Sequence, residues 1–194
     1  MDIRTLDRRA LDATGRIVVQ VSPDRLDAPT PCAEWDLRAL LVHMAGNNNG
    51  FAEGADGRAA DPAVWTGRKL GADVIGEYLK SADRVRSAFA DDELLGRTIA
   101  VHGFGTYPSQ DAIGMHFIDY LVHGWDVARA AGVEYPLDEE LCLAVLAMGE
   151  AWPAGSPRIW GPGAPFGHPV PVPDGAPAFA RMLGFLGRSR DWPG

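Results

Sequence analysis

SQDAIGMHFIDYLVHGWDVARAAG, residues 109–132, is long enough for about six helical turns at 3.6 residues each. It carries most of the side chains able to do chemistry. At 100° per residue, Phe117, Ile118, Leu121, Val122, Trp125 and Ala128 fill most of the circumference, so this helix can present little to water. One stripe differs. Ala112, His116, Asp119, Tyr120, His123 and Val127 share the remaining face, with the two histidines and Asp119 spaced i, i+3, i+7. An ordinary wet face is made of Lys, Glu and Arg, and none of these occurs between Ser109 and Val127. Asp119 and His123 stand one turn apart and can reach a single ion. Imidazole nitrogen and carboxylate oxygen suit zinc and similar divalent metals. Two donors hold a metal weakly, so a third must come from elsewhere in the chain.

Upstream, Asp36 is a good N-cap, and Trp35 with Leu40 makes the pairing of a hydrophobic staple for a second helix. Leu37, Leu40, Leu41, Met44 and Phe51 form its apolar stripe, and His43 and Asn47, one turn apart, border that stripe. Alone, a histidine in such a place reads as a hydrogen-bonded core residue. Beside Asp119 and His123, it becomes a candidate third donor. Gly46, Asn47 to Asn49 and Gly50 should weaken the end of this helix, and 54–62 reads as a polar loop.

A first amphipathic helix is predicted from Ile3 to about Val21, followed by an extended, proline-rich connection over 22–32. A third helix is predicted from about Arg68 to Ala90. RTIAVHGFGTY, 97–107, reads as a hairpin or extended excursion that places His102 in a loop. Beyond Gly132, a C-cap, Asp138 can cap a fifth helix over 139–150. The Pro- and Gly-rich stretch 152–177 reads as a wrap or edge strand, and 178–187 as a short closing helix. His168 has no ligand-like neighbour in sequence.

A chain of 194 residues suits a single domain over 1–194, with 151–194 as a C-terminal wrap and closing helix. Composition is 46% hydrophobic and 23% charged, with a net charge of −8. That balance lacks the clustered Lys and Arg that nucleic acid requires. No apolar run is long enough to span a bilayer, and the charged start lacks a leader's apolar core, so a cytoplasmic protein is predicted. Cys32 and Cys142 are too few for a disulfide framework or a cysteine-based zinc site, and both are expected reduced and buried. Sequence neighbours give neither one an activating base, but a base can come from elsewhere in the chain, so a nucleophilic role stays open for Cys32. The GFG at 103–105 lacks the spacing of a phosphate loop, and no Gly-x-Ser-x-Gly elbow occurs.

Three stretches together resemble a known family: PTPCAEWDLRALLVHMAG at 29–46, DYLVHGWDVARAAG at 119–132, and VPVPDGAPAFARMLGFLGR at 170–188. They are similar to actinobacterial metal-binding proteins related to the N-terminal domain of mycothiol-dependent maleylpyruvate isomerase, in the DinB/YfiT-like superfamily. The likeness extends over nearly the whole chain. It implies an all-α fold, a DinB-like four-helix bundle with short extra helices and a small β excursion, and a divalent metal held between helices. Carried over, the ligands are His43, Asp119 and His123. Asp119 stands where the isomerase has a Glu, and the residues after Glu150 are too few for that enzyme's further C-terminal domain.

With three protein ligands, an ion keeps an open position. The resemblance implies that the sulfur of a thiol such as mycothiol could take it, with Zn²⁺ as the first choice of ion and Ni²⁺ as the alternative. His116, Tyr120 and Asn47 are the candidates for acid/base or supporting roles, and His116 is also the obvious fourth ligand that would close the site. The first function class is a metal-dependent thiol transferase or isomerase acting on a small molecule, as a monomer or homodimer. The second is a non-catalytic metal-binding or stress-related module, and a metal-free bundle is the third.

Overall fold

The computed structural model describes residues 2–58, 61–68 and 70–193. Contacts divide the chain after Tyr135 into two compact units. The first holds α1 (Ile3–Val18), α2 (Leu37–Ala55), the one-turn α3 (Pro62–Trp65), α4 (Val74–Phe89), the hairpin strands β1 (Thr98–Val101) and β2 (Gly105–Pro108), and α5 (Ser109–Ala131). The second holds α6 (Glu139–Gly149) and α7 (Ala178–Phe185). The fold is all-α apart from that antiparallel hairpin, in which Ile99 faces Tyr107.

Four helices make the bundle. α1 lies along α5 and α2 along α4, and contacts of α2 with α5 and of α1 with α4 close the ring. α5 is the axis of the unit: Ile113, Phe117, Leu121, Val122 and Val127 are fully buried. Each such side chain contributes roughly 1.5–3 kcal/mol by leaving water. The predicted core stripe of α2 is likewise inside, with Leu37, Leu40, Leu41 and Met44 at zero exposure.

Local chemistry sets the helix ends. Asp2 and Asp36 cap α1 and α2 by accepting from Arg4 N at 2.9 Å and Ala39 N at 2.8 Å, which satisfies amides that have no partner in the first turn. Gly132 ends α5 in the left-handed region, φ 73°. That conformation strains residues bearing a Cβ. The Arg25 guanidinium also donates to the Ala130 carbonyl at 2.7 Å.

Some boundaries differ from the sequence expectation. α1 stops at Val18 rather than Val21, and the proline-rich connection contains a 3₁₀ turn, Pro23–Arg25, because proline is well placed at the first position of a helical turn. The third predicted helix begins at Val74, where Asp73 accepts from Gly76 N at 3.0 Å. Lys69, within its expected start, lies outside the described residues, as do Ala59 and Ala60 of the expected loop. α2 does not weaken at its glycines. It runs to Ala55 because those glycines are packing contacts: a Cβ on Gly46 would stand 2.3 Å from the Trp65 carbonyl oxygen, and one on Gly50 2.2 Å from the Trp65 ring.

A buried polar chain runs through the bundle. Ser81 Oγ donates to the Tyr78 carbonyl at 2.7 Å, and Asn48 Nδ2 donates to Ser81 Oγ at 2.9 Å. The Asn48 oxygen is therefore turned to His116 Nε2, 3.0 Å away, which must be the donor. His116 Nδ1 then shares a proton with the Asp7 carboxylate at 2.6 Å. His116 and Asn48 have no exposure at all, and Asp7 has 1%.

In the second unit, α6 packs against α7. Asp138 caps α6 by accepting from Glu140 N at 3.0 Å. The stretch 152–177 is non-helical, as its prolines predict. Trp152 lies 5.8 Å from Trp160, 5.9 Å from Phe166 and 5.5 Å from Phe185, ring centre to ring centre. Trp160 Nε1 donates to the Phe185 carbonyl at 3.2 Å. Burying these rings with the polar handle satisfied gives the unit its own small core.

Candidate metal centre

α2 and α5, neighbours in the bundle, bring His43 and Asn47 from one side to Asp119 and His123 from the other. His43 Nε2 lies 4.0 Å from Asp119 Oδ2, and His123 Nε2 lies 3.3 Å from Asp119 Oδ1. The two imidazoles meet edge to face, with centres 5.2 Å apart. One ligand atom from each of His43, Asp119 and His123 falls within 4.8 Å of the others. Exposure grades the site from mouth to floor: the side chains of His43 and Asp119 are 27% and 22% exposed, that of His123 is 6%, and that of Asp126 is 0%. The Trp35 ring lies 4.3 Å from His43 and 6.0 Å from His123.

Asn47 stands between donors. Its Nδ2 is 3.2 Å from His43 Nε2 and 3.1 Å from Asp119 Oδ2. The amide nitrogen has two hydrogens, one for each of these bonds, so it directs both at lone pairs that a cation would use. On the far side, His123 Nδ1 is 2.9 Å from Asp126 Oδ2. That bond keeps a proton on Nδ1 and turns Nε2 toward Asp119, the arrangement that orients a ligating histidine. Cys32 Sγ also donates to Asp126 Oδ2, at 3.2 Å.

The charges follow from these contacts. Burial lowers His43 to about 4, against the pull of the Asp119 charge, with His123 lowering it further. It is therefore a neutral donor near pH 7. Burial alone would raise Asp119, but the charge and hydrogen bond of His123, with His43 and the Asn47 amide, hold its carboxyl below the usual range. Burial opposes a charge on His123, yet Asp119, Cys32 and Asp126 together raise it well above its ordinary value. Without an ion, His123 is a doubly hydrogen-bonded imidazolium between two carboxylates.

Of the other residues singled out from the sequence, Asn47 joins this cluster, and His116 and Tyr120 do not. Both His116 nitrogens are engaged by Asp7 and Asn48, so His116 is not an available fourth donor. Its ring stacks on Tyr120, centres 4.1 Å apart, and the Tyr120 hydroxyl donates to the Met44 carbonyl. Burial pushes that phenol well above its ordinary value. His102 is exposed in the hairpin loop against Trp65, 6.3 Å between centres. Cys142 is buried as expected, whereas Cys32 is only half-buried. Cys32 supplies a contact that sequence neighbours could not reveal. Cys32 reaches His123 across 91 positions; Asp126 is three residues from His123, a helical spacing that already put them side by side. Elsewhere in the unit, an open cleft of about 530 Å³, lined by Gly54, Arg58, Arg97, Thr98 and Thr106, holds none of these donors.

The family model described as the mycothiol maleylpyruvate isomerase N-terminal domain matches residues 8–128. Two uncharacterized proteins of Mycobacterium tuberculosis, from strains H37Rv and CDC 1551 / Oshkosh, are each 32% identical over 189 residues, covering 97% of this chain and 99% of theirs. Two crystal structures of mycothiol-dependent maleylpyruvate isomerase share the fold. One is of a histidine-to-alanine mutant, with TM-score 0.60 at 15% identity, and the other has TM-score 0.57 at 17% identity. Each alignment covers 75% of this chain and 67% of the other. Among the described residues, no helix is long and apolar enough to cross a membrane. A match over most of the bundle, together with relatives alike from end to end, places this chain in the mycothiol maleylpyruvate isomerase N-terminal domain family.

Proposed function

We propose that His43, Asp119 and His123 hold a divalent metal, zinc before nickel, and that the protein is a thiol-dependent transferase or isomerase using mycothiol or a similar low-molecular-weight thiol. The observation that carries this reading is the convergence of two imidazole nitrogens and a carboxylate oxygen, from two helices, within 4.8 Å of one another. This donor set is the His₂–carboxylate combination that suits catalytic zinc. When bound, the ion supplies a positive charge that lowers the pKa of a coordinated thiol and yields a thiolate near neutral pH.

The chain's own residues divide the remaining work. Asp126 orients His123, Asn47 holds the mouth of the site, and Trp35 gives the opening an apolar wall. His116 is occupied by Asp7 and Asn48, which supports an open rather than a closed coordination sphere.

The test is elemental analysis of protein purified without a histidine tag, comparing wild type with His43→Ala and His123→Ala, followed by calorimetric titration with mycothiol. The expected result is about one ion per wild-type chain, strong loss in both variants, and thiol binding that requires the ion. Unchanged metal content in both variants refutes the ligand set. Metal without thiol binding leaves the non-catalytic metal-binding module as the function.

A further inference from the structure

His123 carries a second group of donors on its other nitrogen. Cys32 Sγ lies 3.8 Å from His123 Nδ1 and 3.2 Å from Asp126 Oδ2, and Nδ1 and Oδ2 are 2.9 Å apart. Metal bonds of about 2.0–2.3 Å at tetrahedral angles put neighbouring donor atoms roughly 3.3–3.7 Å apart. The observed triangle needs to adjust by only a few tenths of an ångström to enclose a zinc-sized ion, and its two short edges open further for a larger one. The turn carrying the thiol is pinned: Thr30 Oγ1 donates to the Trp35 carbonyl at 2.7 Å, Cys32 N donates to Thr30 Oγ1 at 3.1 Å, and Trp35 N donates to the Cys32 carbonyl at 2.8 Å. Cys32 is half-buried and its neighbours Ala33 and Glu34 are exposed, so an ion has a way in.

We propose that Cys32, His123 and Asp126 form a second ion position, selective for thiophilic cations such as cadmium, whose occupation dismantles the first. Selectivity follows from the sulfur, since thiolate prefers soft ions and the group of His43, Asp119 and His123 has none. Exclusion follows from the imidazole. A neutral ring offers one lone pair, and an ion on Nδ1 forces the remaining proton onto Nε2, where Asp119 Oδ1 at 3.3 Å accepts it. His123 then meets the first centre with an N–H instead of a donor. Binding to the metal-free protein releases the Cys32 thiol proton and the His123 Nδ1 proton to solvent; when zinc is displaced, Nε2 takes up one proton as Nδ1 gives one up, so the thiol proton is the net release, with no change of oxidation state. The site stands on its own geometry, and only its antagonism to the first centre rests on the proposed function.

The experiment is titration of tag-free protein with cadmium, followed by sulfur-to-metal charge-transfer absorption and by release of pre-bound zinc. Wild type should develop the absorption with one equivalent of cadmium and release its zinc as it does so. Cys32→Ser and Cys32→Ala should lose the absorption and retain zinc. His43→Ala and Cys142→Ser should keep the absorption, because Cys142 lies in α6 with its thiol pushed by burial up to about 11. No absorption in wild type, or absorption unchanged in both Cys32 variants, overturns the proposal. Its loss in His43→Ala also overturns it, by placing the sulfur in the first centre. Wild type that takes up cadmium through Cys32 but never zinc sinks the proposed function and leaves this position standing.

Discussion

Asp126 accepts a hydrogen bond from His123 Nδ1 at 2.9 Å, on the side of the imidazole away from Asp119. A fully buried carboxylate in that place selects which ring nitrogen keeps its proton, and so which one can serve as a donor. Asp126→Asn should lower zinc affinity by about 10–100-fold, the usual effect of removing a ligand's supporting partner. Competition with a chelating dye measures this, and an unchanged dissociation constant would show that the ring is oriented by other means.

Asn47 sets up the opposite expectation. Its amide hydrogens lie on the lone pairs of His43 and Asp119, and an incoming ion must displace both bonds. A net hydrogen bond contributes roughly 0.5–1.5 kcal/mol, so Asn47→Ala should tighten zinc binding by about tenfold. Weaker binding in that variant would identify the amide as a helper instead of a competitor.

The acid limb of stability should bear the mark of His43. Its folded value is about 4, below the ordinary 6.5, so between these pH values the unfolded chain binds a proton that the native metal-free protein does not. Stability should therefore fall as pH drops from 6.5 to 4, by at most about 1.4 kcal/mol per pH unit. His123 adds little slope well below 6.5, where the native ring, with its raised value, and the unfolded ring, at its ordinary value, are both charged; near 6.5 it works in the opposite direction. The Asp119 contribution is present above 3.8 and is lost only as pH falls below that. Urea denaturation of metal-free wild type and His43→Gln across this range tests the assignment, and parallel curves count against it.

His116→Ala should destabilise the bundle by about 3–5 kcal/mol, because it leaves the Asp7 carboxylate buried without its partner. A second substitution, Asp7→Leu with His116→Leu, removes the hydrogen-bonded pair together and should cost much less than the two single losses added together. Strict additivity in urea melts would mean that the pair is not coupled.

Gly46→Ala should cost roughly 1–3 kcal/mol by overpacking. Its Cβ meets the Trp65 backbone, 2.3 Å from the carbonyl oxygen, and a backbone atom cannot swing aside. Gly15→Ala, whose new Cβ meets nothing within 4 Å, is the control and should be neutral or stabilising in thermal melts.

Legibility in the sequence follows the range of the interaction. Asp119 and His123 are readable because one helical turn fixes their separation, and Asp36, Asp138 and Gly132 because caps act over a few residues. His116 shares their face on a helical wheel, but a wheel has no depth. Two turns before His123, the bundle is closed by Phe51 and Phe89, whose ring centres lie 5.0 and 5.3 Å from His116. Asp7, Asn48 and Cys32 are illegible for a related reason, since their partners come from other helices. Gly46 and Gly50 look like helix breakers until Trp65 is seen lying where their side chains would be.

His43 and Asp119 belong to helices that are far apart in the first unit's sequence, with α3, α4 and the hairpin between them, yet adjacent in space. A cation clasped between them ties that long intervening loop shut, as a cross-link would. Because only the folded chain brings the donors together, binding stabilises the native state over the denatured one by mass action. Chelation should therefore loosen α4 and the hairpin, which carry no donor, along with the pocket itself.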